Sequence, residues 1–356
     1  GLYLKSIVLS VWGTANMRTG GDDIAQALAL IGAKPKWDFG STRVSGYEII
    51  PLAKMNRPRV DVTLRISGFF RDAFPAQIEL FDRAIRAIGA LDEPEDMNPI
   101  AARMRSDALD LMQKGRDEDA AAMEAGYRIF GSKPGSYGAG LQGIMDSGRW
   151  NELGDIAETF LNWGQYAYGT KANGTVARGA LINRLKNIDA VVHNQDNREH
   201  DLLDSDDYYQ FEGGLSATAK HLQGEAPANY HNDHSRPERP VAKTLEEEIA
   251  KVMRSRVVNP KWINGVMRHG YKGAFEIIAT TDYMFAFAAT TGAVKSHHFD
   301  LAFEAFVLND EVRDFIQANN KYGYDELIDK FNEAVRRGFW SPKRNSTYAF
   351  LDGGNG

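Results

Sequence analysis

The sequence predicts an α/β fold, with parallel-sheet strand-loop-helix units followed by a mainly helical C-terminal region. Three observations carry that expectation. Apolar runs at residues 6–11 and 60–66 are each followed by a polar loop and then by apolar residues at helical spacing. A third such run, 188–193, leads straight into a polar segment and a further helical stretch. From residue 244 onward only helical periodicity remains. Strands that alternate with helices argue for a parallel sheet, whose ligand loops lie at the C-terminal ends of the strands.

The elements follow in order. After the strand at 6–11, a loop holds Gly13, Asn16, Arg18, Gly20 and Gly21. Asp22 or Asp23 then caps a helix with Ile24, Ala27, Leu28 and Ile31 on one face, ended by Gly32. Residues 43–50 read as a short strand or hairpin. The strand at 60–66 precedes a loop at 67–75 and a helix with Ile78, Phe81, Ile85 and Ile88 on one face. An acidic, proline-punctuated connection at 92–98 leads to an Ala- and Met-rich helix over 107–127. Residues 131–148 are glycine-dense. A helix is expected over 215–222. In the last third, Thr244 and Glu247 form a capping-box pattern ahead of Ile249, Val252 and Met253, and helical units follow at 299–308, 311–318 and 324–337. This division suggests an α/β region at 1–150, its continuation with an acidic His/Asp/Tyr segment at 151–240, and a mainly helical region at 241–356.

Composition narrows the function. The 356 residues are 43% hydrophobic and 11% aromatic, enough for sizeable cores rather than disorder. A net charge of −6 makes nucleic acid and anionic membrane poor partners. No apolar run approaches the roughly 18 residues of a membrane span, and no secretion signal is visible, so the expected home is the cytoplasm. Cysteine is absent, which excludes disulfides, thiolate nucleophiles and Cys-based metal centres.

Motifs narrow it further. Gly138-Ala139-Gly140-Leu141-Gln142-Gly143 spells the dinucleotide fingerprint, but loop-forming residues precede it where a strand is needed. A loop with unusual backbone angles explains it better, and a glycine loop lying against a flat ligand is a further option. A phosphate-cradling loop needs a Gly-Lys pair, and the chain has none, so any ATP chemistry belongs to a partner. The richest segment is 194–214, which places carboxylates, His200 and the phenols of Tyr208 and Tyr209 just past a buried strand. Oxygen and imidazole ligands suit a loosely held divalent ion. A solvated acidic loop is the plain alternative, although such a loop has no use for Tyr208, Tyr209 and Phe211. His231 and His234, flanking Asp233, have a spacing that lets two imidazoles share one ion, and a pair of surface histidines is the commoner cause.

Several separated runs, in order, resemble one family. They are Leu9-Ser10-Val11-Trp12-Gly13-Thr14 with Gly20-Gly21-Asp22-Asp23-Ile24, Arg57-Pro58-Arg59-Val60-Asp61-Val62 with Ser67-Gly68-Phe69-Phe70-Arg71-Asp72, and Asn259-Pro260-Lys261-Trp262 with His269-Gly270-Tyr271. Together they look like the CobN / magnesium-chelatase large-subunit family, over essentially the whole chain. Asn194-Gln195-Asp196-Asn197-Arg198-Glu199-His200-Asp201 and Tyr208-Tyr209-Gln210-Phe211-Glu212-Gly213-Gly214 look like its cobalt branch. The family's large protein is much longer, and the chain is similar to its C-terminal part.

The resemblance implies a cobaltochelatase of aerobic cobalamin synthesis that inserts Co²⁺ into hydrogenobyrinic acid a,c-diamide. It implies partner subunits of the CobS and CobT type, with ATP and Mg²⁺ on the AAA+ partner rather than on this chain. Magnesium chelatase, and a non-catalytic tetrapyrrole-binding or subunit-docking module, are the alternatives. Chelation needs a partly dehydrated ion, an acceptor for ring protons and a ring held bent. His200, Asp201, Asp204 and Asp207 are the expected metal-handling residues, with His231 and His234 as further ligands. Arg18, Arg71, Arg198, Arg236 and Lys261 are the cations expected at the substrate's carboxylates. Trp12, Tyr137, Tyr208 and Tyr209 are expected to pack on the macrocycle, with Gln210 beside them.

Overall fold

Strand β1 (Ser6–Val11) has all six residues buried and is one of the inner strands of the sheet. In chain order the others are β2 (Ala33–Trp37), β3 (Val44–Ile49), β4 (Asp61–Ile66), β5 (Ile129–Gly131), β6 (Tyr166–Gly169), β7 (Ala172–Val176), β8 (Ala190–Gln195) and β9 (Ala228–Asp233). Seven of them form one sheet in the order β7-β6-β5-β4-β1-β8-β9, while β2 and β3 form a separate hairpin. These details come from a computed structural model that describes residues 3–353. The chain divides into two compact units. One comprises Gly1–Asp196 and Gln210–Ala242; the other comprises Asn197–Tyr209 and Lys243–Gly356.

The first unit confirms the α/β expectation with one correction. Strands β5, β4, β1, β8 and β9 are parallel, but β6 and β7 run antiparallel at one edge. Thr170 and Lys171 alone connect β6 to β7, and so short a link can only return antiparallel. The edge escapes sequence reading because Tyr-Ala-Tyr-Gly and Ala-Asn-Gly-Thr-Val lack an apolar run. A second difference lies at 107–127, where two helices, Pro99–Gln113 and Glu118–Ala125, replace one. Asp117 starts the second by accepting a hydrogen bond from the Ala120 amide.

The two faces of this sheet differ. On one, Leu9, Val11, Leu64, Ile66 and Val192 meet Ile24, Leu28 and Ile31 of helix Asp22–Ile31 and Phe81, Ile85 and Ile88 of helix Pro75–Gly89. The other face carries the alternate residues, and many are polar. Register places Ser6 beside Asp61, and Ser10 beside Arg65. At the N-terminal end of the strands, burial pushes the Asp61 carboxyl up, but Arg128, Arg184 and Arg103 outweigh it and hold it below its ordinary value. That end is a closed structural network. The functional candidates lie at the other end.

The second unit is helical. Thr244 and Glu247 make the expected reciprocal capping box before helix Leu245–Val252. Helices Pro260–Val266, Gly270–Thr290, Ser296–Phe303, Asp310–Asn319 and Lys321–Arg336 follow. Phe303, Phe331 and Trp340 fill their centre, with ring centroids 5.1–5.4 Å apart. Among the described residues no helix is long and apolar enough to cross a membrane.

Candidate functional site

The C-terminal ends of β1, β8 and β9 hold two polar clusters, one on each face of the sheet. All six residues of β8 are buried, including His193, Asn194 and Gln195, and register sets His193 beside His231 and Asn194 beside Asn232. Because side chains alternate along a strand, His193 and Gln195 point to one face and Asn194 to the other.

On the first face the fully buried His231 is held at both ring nitrogens. Nε2 lies 2.8 Å from Gln195 Oε1, and Nδ1 lies 2.8 Å from Glu212 Oε2. An amide oxygen only accepts, so Nε2 carries a hydrogen. Nδ1 and the carboxylate then share one further proton, as an imidazolium–carboxylate pair or as neutral imidazole with a carboxylic acid. Glu212, itself 0% exposed, comes from a π-helical turn, Tyr209–Gly213. The His193 ring stacks on His231 at 5.1 Å and meets the half-buried Trp12 at 4.6 Å. Burial first, and then His231, drive the His193 imidazolium well below its ordinary range, so this ring is neutral.

Arg65 closes this cluster from β4. It is buried, and its guanidinium lies 5.1 Å from the Phe211 ring and 5.4 Å from Phe160, a cation held by aromatic faces. Burial lowers its pKa to about 10. Glycine is required opposite it, since a Cβ at Gly164 would sit 2.9 Å from Nε. By holding Phe211, Arg65 fixes the turn that delivers Glu212.

On the second face, Asn232 donates to Asn194 Oδ1 at 3.1 Å. Asn194 spends both amide hydrogens, one on Asp23 Oδ1 at 2.7 Å and one on Gln26 Oε1 at 2.5 Å. Asp23 stands in the first turn of helix Asp22–Ile31 and is 5% exposed. Burial, reinforced by Asp196 and Asp22 and only partly offset by the Asn194 bond, pushes its carboxyl up to about 7. At the rim, Arg18 grips Asp196 with two hydrogen bonds of 2.5 and 3.0 Å, and His234 lies 3.9 Å from Asp22.

The expected site residues fall into three groups. Trp12, Arg18, His231 and His234 stand at these strand ends. His231 is no free ligand, because both its nitrogens are engaged. Arg71 and Tyr137 meet at a neighbouring loop, where Arg71 donates to the carbonyls of Ser132, Lys133 and Ser136 and pairs with Asp72. Tyr137 remains 61% exposed, bonded to Asp72 and lying over Arg71 at 5.4 Å. A Cβ at Gly68 would meet this ring at 2.6 Å, so glycine there lets it lie close. Buried Arg71 thus anchors this loop. Buried Gln210 accepts from the Leu141 amide at 3.2 Å.

The third group belongs to the second unit. Asp201 takes a two-pronged hydrogen bond from Arg256 at 2.5 and 2.8 Å, and Asp204 lies 3.3 Å from the same guanidinium, which stacks on Trp262 at 4.9 Å. Arg198 pairs with buried Glu248. Tyr208 and Tyr209 are buried, and Tyr209 packs 6.1 Å from Tyr283. His200, Asp207, Lys261 and, back in the first unit, Arg236 are exposed. Among the described residues no three His, Asp or Glu side chains gather as an ion-holding group. Within this unit Asp201 and Asp204 thus share the charge of Arg256. Sequence pattern gives no role to His193, Asn194, Gln195, Glu212, Asp23 or Arg65 in such a site. Strand register brings His193, Asn194 and Gln195 beside β9, and the signal for these three is a polar His-Asn-Gln ending on an otherwise apolar strand.

Comparison with known proteins places this arrangement. The family model described as CobN/Magnesium Chelatase matches residues 1–347. Over 353 residues the chain is 62% identical to "Aerobic cobaltochelatase subunit CobN" of Sinorhizobium sp., covering 99% of this chain. It is 53% identical to the protein of the same name from Pseudomonas aeruginosa, over 96% of this chain, and 32% identical to a magnesium-chelatase subunit of Rhodobacter capsulatus, over 95%. It spans only 27–28% of the length of these relatives. Among solved structures, the catalytic subunit of cobaltochelatase from Mycobacterium tuberculosis superposes with a TM-score of 0.93 at 42% identity, over 98% of this chain and 29% of that one. The chain belongs to the CobN/Magnesium Chelatase family.

Proposed function

We propose that this chain is part of the large subunit of an aerobic cobaltochelatase, and that the strand ends of its first unit hold the tetrapyrrole during insertion of Co²⁺. The observation that carries the choice of metal is the identity gap, 62% and 53% to cobaltochelatase subunits against 32% to a magnesium-chelatase subunit. The substrate on this reading is hydrogenobyrinic acid a,c-diamide. ATP is hydrolysed by partners of the CobS and CobT type, in line with a chain that has no Gly-Lys pair for a phosphate loop.

The geometry supports a division of roles. Trp12, half-buried on His193, and Tyr137, exposed on an anchored loop, offer aromatic faces to a flat ring. Arg18 and Arg236 are exposed cations able to meet ring carboxylates. The Glu212–His231–Gln195 set, with both His231 nitrogens already engaged, acts as a rigid floor. His200 and Asp207, exposed on the acidic loop, keep the proposed role of passing the ion from water, with Asp201 and Asp204 holding that loop in shape. Insertion by the complete large subunit with its partners, assayed with Co²⁺ and Mg²⁺ on corrinoid and porphyrin substrates, tests the reading. Turnover confined to Mg²⁺ and porphyrin would overturn it.

A further inference from the structure

We infer that Asp23 is the proton acceptor of the strand-end site, taking a ring N–H proton as the metal enters. This rests on the reading that the ring is held at these strand ends.

The geometry distinguishes Asp23 from Glu212 and Asp196. Glu212 is fully buried and already shares a proton with His231. Asp196 is committed to Arg18. Asp23 stands buried at the end of the sheet, and among the described residues its Oδ1 takes one neutral hydrogen bond, from Asn194. The amide ladder Asn232–Asn194 fixes the Asn194 NH₂ toward Asp23, so the ladder orients the carboxyl without supplying charge. The charged groups around it are Asp22 on its own helix, Asp196 beyond β8, the half-exposed Arg18 paired with Asp196, and His234 beyond β9 beside Asp22.

An acceptor works best when its proton affinity lies near the operating pH. Burial and two neighbouring carboxylates put Asp23 there, at about 7. A carboxyl needed only to favour a helix N-terminus would do so more effectively exposed and ionised. In the step itself, the ring N–H bond breaks and its electron pair stays on nitrogen to bind Co²⁺. The proton forms an O–H bond on Asp23, then passes to water, and the carboxylate is restored.

The test uses the complete large subunit with its partners, Co²⁺ and hydrogenobyrinic acid a,c-diamide. Asp23→Asn keeps the shape and the Asn194 contact but cannot accept a proton. The expected result is a fall in kcat of about 100-fold, with ring affinity measured by fluorescence kept within about twofold. The limb of the pH–rate profile that rises toward neutrality should disappear, and Asp23→Glu should restore part of the rate. A melting curve confirms that Asp23→Asn is folded. An unchanged kcat, or equal losses of rate and ring affinity, would overturn the assignment. Failure of the underlying reading looks different: Trp12→Ala and Tyr137→Ala would then leave ring affinity untouched, whatever Asp23 does.

Discussion

Residues 197–209 and the strand ends that flank them in sequence hold opposite kinds of chemistry. The loop is dense in charge, yet Asp201 and Asp204 are neutralised by Arg256, Arg198 by Glu248, and both tyrosines are packed away. The strand ends carry fewer charges, but those are buried, shared or displaced from their ordinary proton affinity. Charge density in a sequence marks where water is. Reactivity depends on which charges lose it.

That contrast can be broken by substitution, beginning with the largest expected effect. Glu212→Ala leaves His231 buried with an unanswered ring nitrogen, which should cost about 3–5 kcal/mol in chemical denaturation. A cost under about 1 kcal/mol would mean that the pair is not the floor of the site. Arg256→Ala removes the clamp on Asp201 and Asp204 and should cost about 2–3 kcal/mol, read as a lower urea midpoint. If the acidic loop is purely structural glue, the same variant in which the fold is rescued by lower temperature should still bind the ring.

Asp23→Asn should act in the other direction, and with pH. The folded-state pKa is raised, to about 7, so the carboxyl's contribution to stability is fully present below its unfolded pKa near 4 and is lost as pH rises toward 7. The variant escapes that loss. It should therefore come close to the parent near pH 4 and exceed it by on the order of 4 kcal/mol near pH 8. Melting temperatures that differ equally at both pH values would show that Asp23 is not held protonated.

Smaller effects sharpen the comparison. His200→Ala combined with Asp207→Asn should weaken apparent Co²⁺ affinity about tenfold while sparing kcat, the pattern of ion delivery rather than chemistry. A loss confined to kcat would return the chemistry to the loop. Arg18→Ala, whose side chain is 47% exposed, should change stability by less than about 1 kcal/mol, and its effect should appear in ring affinity instead.

Much of the architecture is legible in the chain. The strands β1, β4 and β8 announce themselves as apolar runs, and the C-terminal helices by periodicity and by the Thr244–Glu247 box. The segment 194–214 stands out by composition, but its weight lies at its ends rather than its middle. His193 reads as one polar residue in a strand until register stacks it on His231, thirty-eight positions later. Asp23 reads as a helix cap until Asn194 is found across from it. Arg71 reads as a cation for a ligand until three carbonyls of a glycine loop are seen to claim it. Local pattern predicts elements; which polar groups lose water depends on contacts far apart in sequence.

The central claim is that the ring sits at the C-terminal ends of β1, β8 and β9 in the first unit. Locating free-base hydrogenobyrinic acid a,c-diamide in the complete large subunit, by crystallography or cryo-electron microscopy, tests it directly. The account predicts the macrocycle against Trp12 and Tyr137, with Asp23 within hydrogen-bonding reach of a ring nitrogen. Density for the ring elsewhere, with Trp12, Tyr137 and Asp23 untouched, would contradict it.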